Sequence, residues 1–347
     1  MSKDYKNKFE KNYFKKKYYN SPINVIGMGG YILGSKAIYN FLIDKVKKKI
    51  SFFDNLEDNK VLPKKKTLNI IISKSGNTLE TIINSSKNFD QNQRNIIVTE
   101  KRINNLNILA KKLKAEVIEH NNFIGGRYSV FSEVGMLPAE LMGLNTTKFK
   151  QLNNLVKNKS FVNSLINNVN SIIYYTKIGK SNSIILNYDR KSESLLNWYQ
   201  QLVAESLGKN GKGILPIISN MPKDNHSLMQ HFLDGPKNNF FTFFFTHEKN
   251  SMKIKDPFKM KKNIFLKAKT INKILLAKKN ASEKVFTQKK LPYRSFNIKN
   301  RSEESLSELF TFFTLETLLL AKALKVNPYN QPSVELIKKE TYKFLKN

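Results

Sequence analysis

Apolar runs of only four to six residues, each separated from the next by a helix-like stretch, recur between Ile23 and Glu119 and set the fold. They fall at residues 23–26, 50–53, 68–72, 95–98 and 116–119. Helical patterns lie between them: one after the glycine turn Gly27–Gly30, through Lys36 and Ile43 toward Lys49, and others at residues 78–88 and 106–114. Runs this short and this continuously apolar are expected of strands buried on both faces, which means parallel strands covered by crossover helices. The first half therefore reads as a doubly wound α/β domain. A glycine pair opens a helical stretch over 125–144, and an Asn- and Lys-rich crossover follows at 148–159. A second α/β rhythm comes next, with strands at 183–188, 213–218 and 239–246 alternating with helices at 193–207 and 226–233. The interval 247–256 is polar and carries no clear period, and the chain closes on helices at 271–286, 303–324 and 334–345. The expected division is a basic N-terminal extension at 1–21, one α/β domain at 22–147 and a second at 148–347.

Composition narrows the class. A chain of 347 residues with 40% apolar content is long enough for two buried cores. The absence of cysteine excludes disulfides and thiolate ligands or nucleophiles, and suits a reducing cytoplasm. Residues 1–20 lack the continuous apolar core of a signal peptide, and even the apolar stretch 309–324 carries Glu316 and Lys322, so a soluble protein is expected. The formal charge of +33 would suit a polyanion partner, but the lysines are spread over nearly every segment with no arginine-rich or aromatic-interleaved block. That spread points to a solvated basic surface with no specific nucleic acid, and it favours steering of an anionic substrate.

Three stretches carry chemistry. Ser73-Lys74-Ser75-Gly76-Asn77-Thr78 links a strand to a helix, where free backbone N–H groups and three hydroxyls would cradle a phosphate. The same residues also fit an ordinary cap made by Asn77 or Thr78. Gln201 and Glu205 lie four apart on one helix face, with Glu205 near the C-terminal end that disfavours a carboxylate, so it is either a solvated glutamate or a functional one. His226, one of four histidines, follows Asp224 and Asn225 at a helix start, where it reads as a structural residue or as a proton carrier. Arg127 after Gly125-Gly126 suits either a salt bridge or a developing negative charge. Gly27-Met28-Gly29-Gly30 departs from dinucleotide spacing and reads as a tight turn beside another ligand. No metal is expected, since His226 and His231 lie five apart and off a common helical face.

Read in order, these segments resemble the glucose-6-phosphate isomerase family. The resemblance rests on Gly27–Gly30, Ser73–Thr81, Gly125–Ser129, Gln200–Lys209, Asp224–Ser227 with Asp234-Gly235-Pro236, and Asn327–Glu335. It implies two sugar-isomerase-type domains, each a doubly wound parallel sheet in a three-layer αβα sandwich. It also implies an aldose-ketose isomerase that interconverts glucose 6-phosphate and fructose 6-phosphate through an enediolate, in glycolysis and gluconeogenesis, with no cofactor. In that reading Glu205 shuttles the proton, His226 and Lys338 open the ring, and Arg127 stabilises the enediolate. Ser73, Lys74, Ser75 and Thr78 hold the phosphate, while Gly29, Gly30, Gly126, Gln201 and Gln331 line the sugar. Family members are commonly homodimers, and in some the ring-opening histidine comes from the other subunit. Alternative readings are a bifunctional enzyme that also isomerises mannose 6-phosphate, and a non-catalytic sugar-phosphate binder. The chain departs from the family at Tyr31, where Ser is usual, at Ser333, where Gly is common, and at Glu133, where a small residue is common.

Overall fold

The computed structural model of the protein describes residues 2–57, 66–87, 93–255 and 266–346. After helix α1 (Lys11–Lys17), the first half runs β1 (Ile23–Gly27), α2 (Gly30–Phe41), β2 (Ile50–Phe53), β3 (Leu68–Ile72), α3 (Leu79–Lys87), β4 (Arg94–Thr99), α4 (Asn105–Leu113) and β5 (Glu116–Glu119). Helices α5 (Glu133–Leu141), α6 (Leu152–Leu155) and α7 (Lys159–Lys177) lead to β6 (Asn182–Asn187), α8 (Glu193–Leu207), β7 (Leu215–Asn220), α9 (Met229–Asp234) and β8 (Asn239–Thr246). The chain then forms α10 (Ile271–Gln288), β9 (Tyr293–Ile298), α11 (Glu303–Leu324) and α12 (Pro332–Phe344).

The first five strands form a sheet in the order β2-β1-β3-β4-β5, and the remaining four a sheet in the order β7-β6-β8-β9. Every pairing is parallel. All five residues of β3 and all eight of β8 are buried, because helices cover both faces and β-branched or aromatic side chains fill the space on each. One apolar core runs from the first sheet through Val25 and Ile70 to Ile185 and Phe244 of the second. Between the sheets, α2 packs on α8 and α8 on α11. Here Trp198 meets Phe310 edge-to-face at 4.7 Å, a pairing worth about 0.5–1.5 kcal/mol beyond its buried area. Of the basic segment 1–21, residues 2–21 are folded onto the first half, with Phe14 and Tyr18 inside that same core.

Two expected helices are re-cut. The stretch 125–144 is a 3-10 turn, Gly126–Phe131, followed by α5, because Ser132 turns extended and its hydroxyl accepts from Val134 N to start a new helix. The stretch 226–233 likewise splits into a 3-10 turn, Lys223–His226, and α9. There Asp224 Oδ2 accepts from Asn220 N at 2.7 Å and Ser219 Oγ at 3.0 Å, folding the segment back on β7 so that His226 ends a turn instead of opening a helix. Helix α3 covers most of the expected 78–88, of which residue 88 lies outside the described residues, as does residue 256 of the polar interval 247–256. β9 and α7 have no counterpart in the apolar-run pattern. β9 is an edge strand whose burial merely alternates, and its Arg294 is drawn inward to Glu316 at 2.5 Å.

Candidate active site

The first sheet reverses its strand order between β1 and β3, the position where α/β sheets open a crevice at their carboxyl ends. The glycine turn Gly27–Gly30 leaves β1 at this point, and the serine-rich loop leaves β3. Ser73 is buried, and its hydroxyl lies 2.9 Å from Thr78 Oγ1. Asn77 N donates to Ser75 Oγ at 3.3 Å. The loop is held from the side by β4, where Glu100 N donates to Lys74 O at 3.1 Å. It thus presents three hydroxyls and the start of α3 at one end of the sheet, a disposition suited to an oxyanion.

Helix α8 delivers the carboxylate. Its packing on α2 brings Gln201 against Gly29, where a side-chain carbon would stand 2.7 Å from Gln201 Nε2, and Gly29 also sits at φ +54. Only glycine meets both demands. One turn later, Glu205 Oε1 accepts from Gln201 Nε2 at 2.7 Å. The Gln201 carbonyl oxygen is buried with no protein partner, an acceptor free for a hydroxyl.

Arg127 completes the cluster. Gly30 touches the loop before it so closely that a Cβ there would lie 2.3 Å from Arg127 N and 2.2 Å from the Gly126 carbonyl carbon. The guanidinium is buried and spends all its nitrogens on fixed acceptors. Nη1 donates to Glu205 Oε2 and Gln331 Oε1, both at 2.9 Å. Nε donates to Ser206 Oγ at 3.0 Å, and Nη2 to the carbonyls of Pro328 at 2.6 Å and Asn330 at 3.1 Å. Burial pushes the neighbouring Tyr128 phenol up, and Lys209 is lowered by burial and then by Arg127.

The structure brings Glu205, Arg127, Gln201, Gln331, Gly29, Gly30 and Gly126 into one cluster beside Ser73, Lys74, Ser75 and Thr78. It does not join His226 or Lys338 to it within one chain. His226 is exposed at the end of its turn, and Lys338 pairs with Glu335 at 2.7 Å on the same exposed helix. Among the described residues, neither forms a hydrogen bond or ion pair with Glu205, Arg127 or Gln201. α12 starts at the site through Gln331 and meets the serine loop through Tyr342 Oη donating to Asn77 O at 3.3 Å, but none of its residues is buried.

Ser206, Tyr128 and the Pro328 carbonyl also hold the arginine, and sequence reasoning passed over them. Their one signal was adjacency to Arg127, Glu205 and Gln331. A second buried network was missed altogether. Glu133 accepts from Tyr5 Oη at 2.9 Å and Lys8 N at 3.1 Å and faces His120 Nδ1 at 3.6 Å, while His120 Nε2 lies 3.1 Å from Ile124 O, three residues before Arg127. The position that usually takes a small residue thus anchors the N-terminal segment under the arginine loop.

Two parallel sheets flanked by helices, with a serine-rich loop at the switch point of the first and a carboxylate-guanidinium pair at its carboxyl end, place the chain in the class of phosphosugar isomerase folds. Solved structures agree on the architecture: a hypothetical protein of Thermus thermophilus superposes with a TM-score of 0.86 at 21% identity, covering 97% of this chain and 86% of that one. A glucose-6-phosphate isomerase of Chlamydia trachomatis gives 0.76 at 17% identity over 97% and 72%. The phosphoglucose isomerase family model matches residues 3–217. The glucose-6-phosphate isomerase of Methanocaldococcus jannaschii is 32% identical over 351 residues, covering 93% of this chain and 84% of its relative. The chain belongs to the phosphoglucose isomerase family.

Proposed function

We propose that this protein is an aldose-ketose isomerase that interconverts glucose 6-phosphate and fructose 6-phosphate, a step of glycolysis and gluconeogenesis. The observation that carries the reading is the Glu205 carboxylate, held at both oxygens by Arg127 and Gln201 beside the serine-rich loop. In the open-chain aldose, Glu205 takes the proton from C2, and the electrons move through the C1–C2 bond onto the C1 oxygen. The enediolate forms against Arg127, whose fixed positive charge is worth most where negative charge appears only in the transition state. Glu205 returns the proton to C1, and the C2 hydroxyl proton passes to the C1 oxygen, leaving the ketose. The serine loop holds the phosphate throughout, and the unpartnered Gln201 carbonyl accepts a sugar hydroxyl. The proton transfers so described require no metal or cofactor.

His226 and Lys338 open the ring, and in this reading they act in a homodimer with a shared site. Two features support it: both residues stand apart from Glu205 in their own chain, and α12 exposes Ile337 (70%) and Phe344 (80%), apolar side chains that a second subunit would cover. Among the described residues no helix is long and apolar enough to cross a membrane, and a cytoplasmic location belongs to the proposal. The test is a coupled assay of fructose 6-phosphate conversion with a chelator present. Turnover supports the reading, and its absence in a folded protein rejects it.

A further inference from the structure

Arg127 is carried by a loop whose two ends meet. The loop leaves β5, runs through residues 121–132 and closes where Glu133 opens α5. At its base His120 Nδ1 faces Glu133 Oε2 at 3.6 Å, and both side chains are wholly buried. Glu133 is fixed in turn by the N-terminal segment, through Tyr5 Oη at 2.9 and 3.0 Å and Lys8 N at 3.1 Å. The other ring nitrogen of His120, Nε2, lies 3.1 Å from Ile124 O inside the loop. A carbonyl only accepts, so Nε2 carries a hydrogen and donates. Among the described residues this is the one side-chain hydrogen bond to the backbone of 121–125, a stretch whose Asn122 and Phe123 are exposed. His120 also backs the loop through a neighbour: its ring meets the Tyr31 ring edge-on at 6.0 Å, and the Tyr31 ring rests on Gly126, where a methyl group would stand 3.0 Å from Cε2. The acceptors of the Arg127 guanidinium, in contrast, lie on Glu205, Ser206, Pro328, Asn330 and Gln331, and none belongs to its own loop. Those acceptors set the direction of the fork, whereas the loop backbone sets the point from which it reaches.

We propose that His120 and Glu133 are positioning residues for the isomerisation: they clasp the base of this loop and so hold Arg127 where its charge meets the forming enediolate. The inference rests on the isomerase reading above. Neither residue touches the reacting atoms, and neither gains or loses a proton in the reaction. A misplacement of about 1 Å in a catalytic group can cost about 10²-fold in rate. Because negative charge reaches the sugar oxygens only in the transition state, a displaced Arg127 lowers kcat and leaves KM alone.

The experiment measures kcat, KM and Tm for His120→Asn and His120→Gln, each alone and combined with Arg127→Ala. Asparagine puts its amide where Nδ1 was, toward Glu133, and falls short of Ile124 O. Glutamine puts its amide where Nε2 was and can still donate to that carbonyl. Both exchange the ring for an amide, so Tm falls alike in the two. The expected result is a kcat about 10-fold below wild type in His120→Asn and within about twofold of it in His120→Gln, with KM within about twofold in both. On the Arg127→Ala background His120→Asn changes kcat by no more than about twofold, because a residue that acts through the arginine then has nothing to place. Equal kcat in the two variants, or a rise in KM alone, overturns the proposal, since His120 then only packs the loop. A loss in His120→Asn that persists undiminished without Arg127 overturns it as well. Where His120→Asn does not fold, Glu133→Gln takes its place, keeping an acceptor for Tyr5 while withdrawing the charge that faces His120; wild-type kcat in that variant overturns the proposal. A wild type with no isomerase turnover is a different failure: it removes the parent reading, and this inference with it.

Discussion

Arg127 Nη1 stands 2.9 Å from Glu205 Oε2, and the same nitrogen reaches Gln331 Oε1 at 2.9 Å. One guanidinium therefore ties together the loop after β5, the end of α8 and the start of α12. The carboxylate it orients has its other oxygen on Gln201. Replacing Glu205 by Gln preserves the size and one acceptor oxygen but removes the proposed base. Turnover falls by about 10²–10⁴-fold, while Tm and affinity for inorganic phosphate stay near wild type. A coupled assay beside a thermal melt reads both, and near-normal turnover would transfer the proton shuttle to another residue.

In the proposed reaction the serine loop holds the part of the substrate that does not react. Contacts there bind ground state and transition state alike, so their loss shows in KM. Ser73→Ala and Thr78→Val each remove one partner of the 2.9 Å hydroxyl pair. Each raises KM for fructose 6-phosphate about 10-fold, a loss of about 1.4 kcal/mol, with kcat within about twofold of wild type. Steady-state kinetics separate the two constants, and a fall in kcat at constant KM would place these hydroxyls at the reacting carbons instead.

His226 lies exposed in its own chain, with no bond to Glu205. If the partner subunit supplies it, His226→Ala and Glu205→Gln proteins are each nearly inactive, yet a mixture unfolded and refolded together regains about a quarter of wild-type activity, from the statistical share of sites that receive both intact residues. Mixtures that stay inactive would mean His226 serves the site of its own chain or none.

Acid should loosen the anchor under the arginine loop. Burial alone would raise the Glu133 carboxyl, but His120, the backbone N–H groups and the Tyr5 hydroxyl outweigh it and hold the group below its ordinary range. A carboxyl depressed in the folded state contributes stability that is complete above the unfolded value of about 4.3 and is lost as pH falls through the lower folded value. Tm therefore declines steeply below about pH 4. Glu133→Ala costs about 1.5–3 kcal/mol at pH 7 by removing a charged acceptor, and makes the acid decline shallower. Some decline remains, because Glu116 and Glu303 are also held low, where Lys17 and Lys45 outweigh their burial. Melts from pH 3 to 7 check it, and parallel acid curves for variant and wild type would refute it.

Local signals carried most of the fold. The continuous apolar run of β3, the glycine turn after β1 and the whole of α11 are written in adjacent residues: α11 starts where Ser302 caps Ser305 N at 3.1 Å and stops where Lys325 turns left-handed. What adjacency hides was missed. β9 buries its inner face through Arg294 and Glu316, charges that read as solvent-facing until Tyr199 and Thr242 are seen to complete the set. The site shows the same split. Gln201 and Glu205 share a helix face and were legible as a pair, whereas the meeting of Arg127 with Gln331, 204 positions away, depends on tertiary packing that no spacing reveals.

A single apolar interior links both sheets, and α2 and α8 meet inside it, each covered by a neighbour from the opposite half. Neither half is therefore an interchangeable module: cut at the crossover near residue 148, each fragment would expose the greasy surface its counterpart now hides. Melting should be one all-or-none event, and the polypeptide must be built past residue 331 before Gln331 can join the guanidinium and the carboxylate on α8.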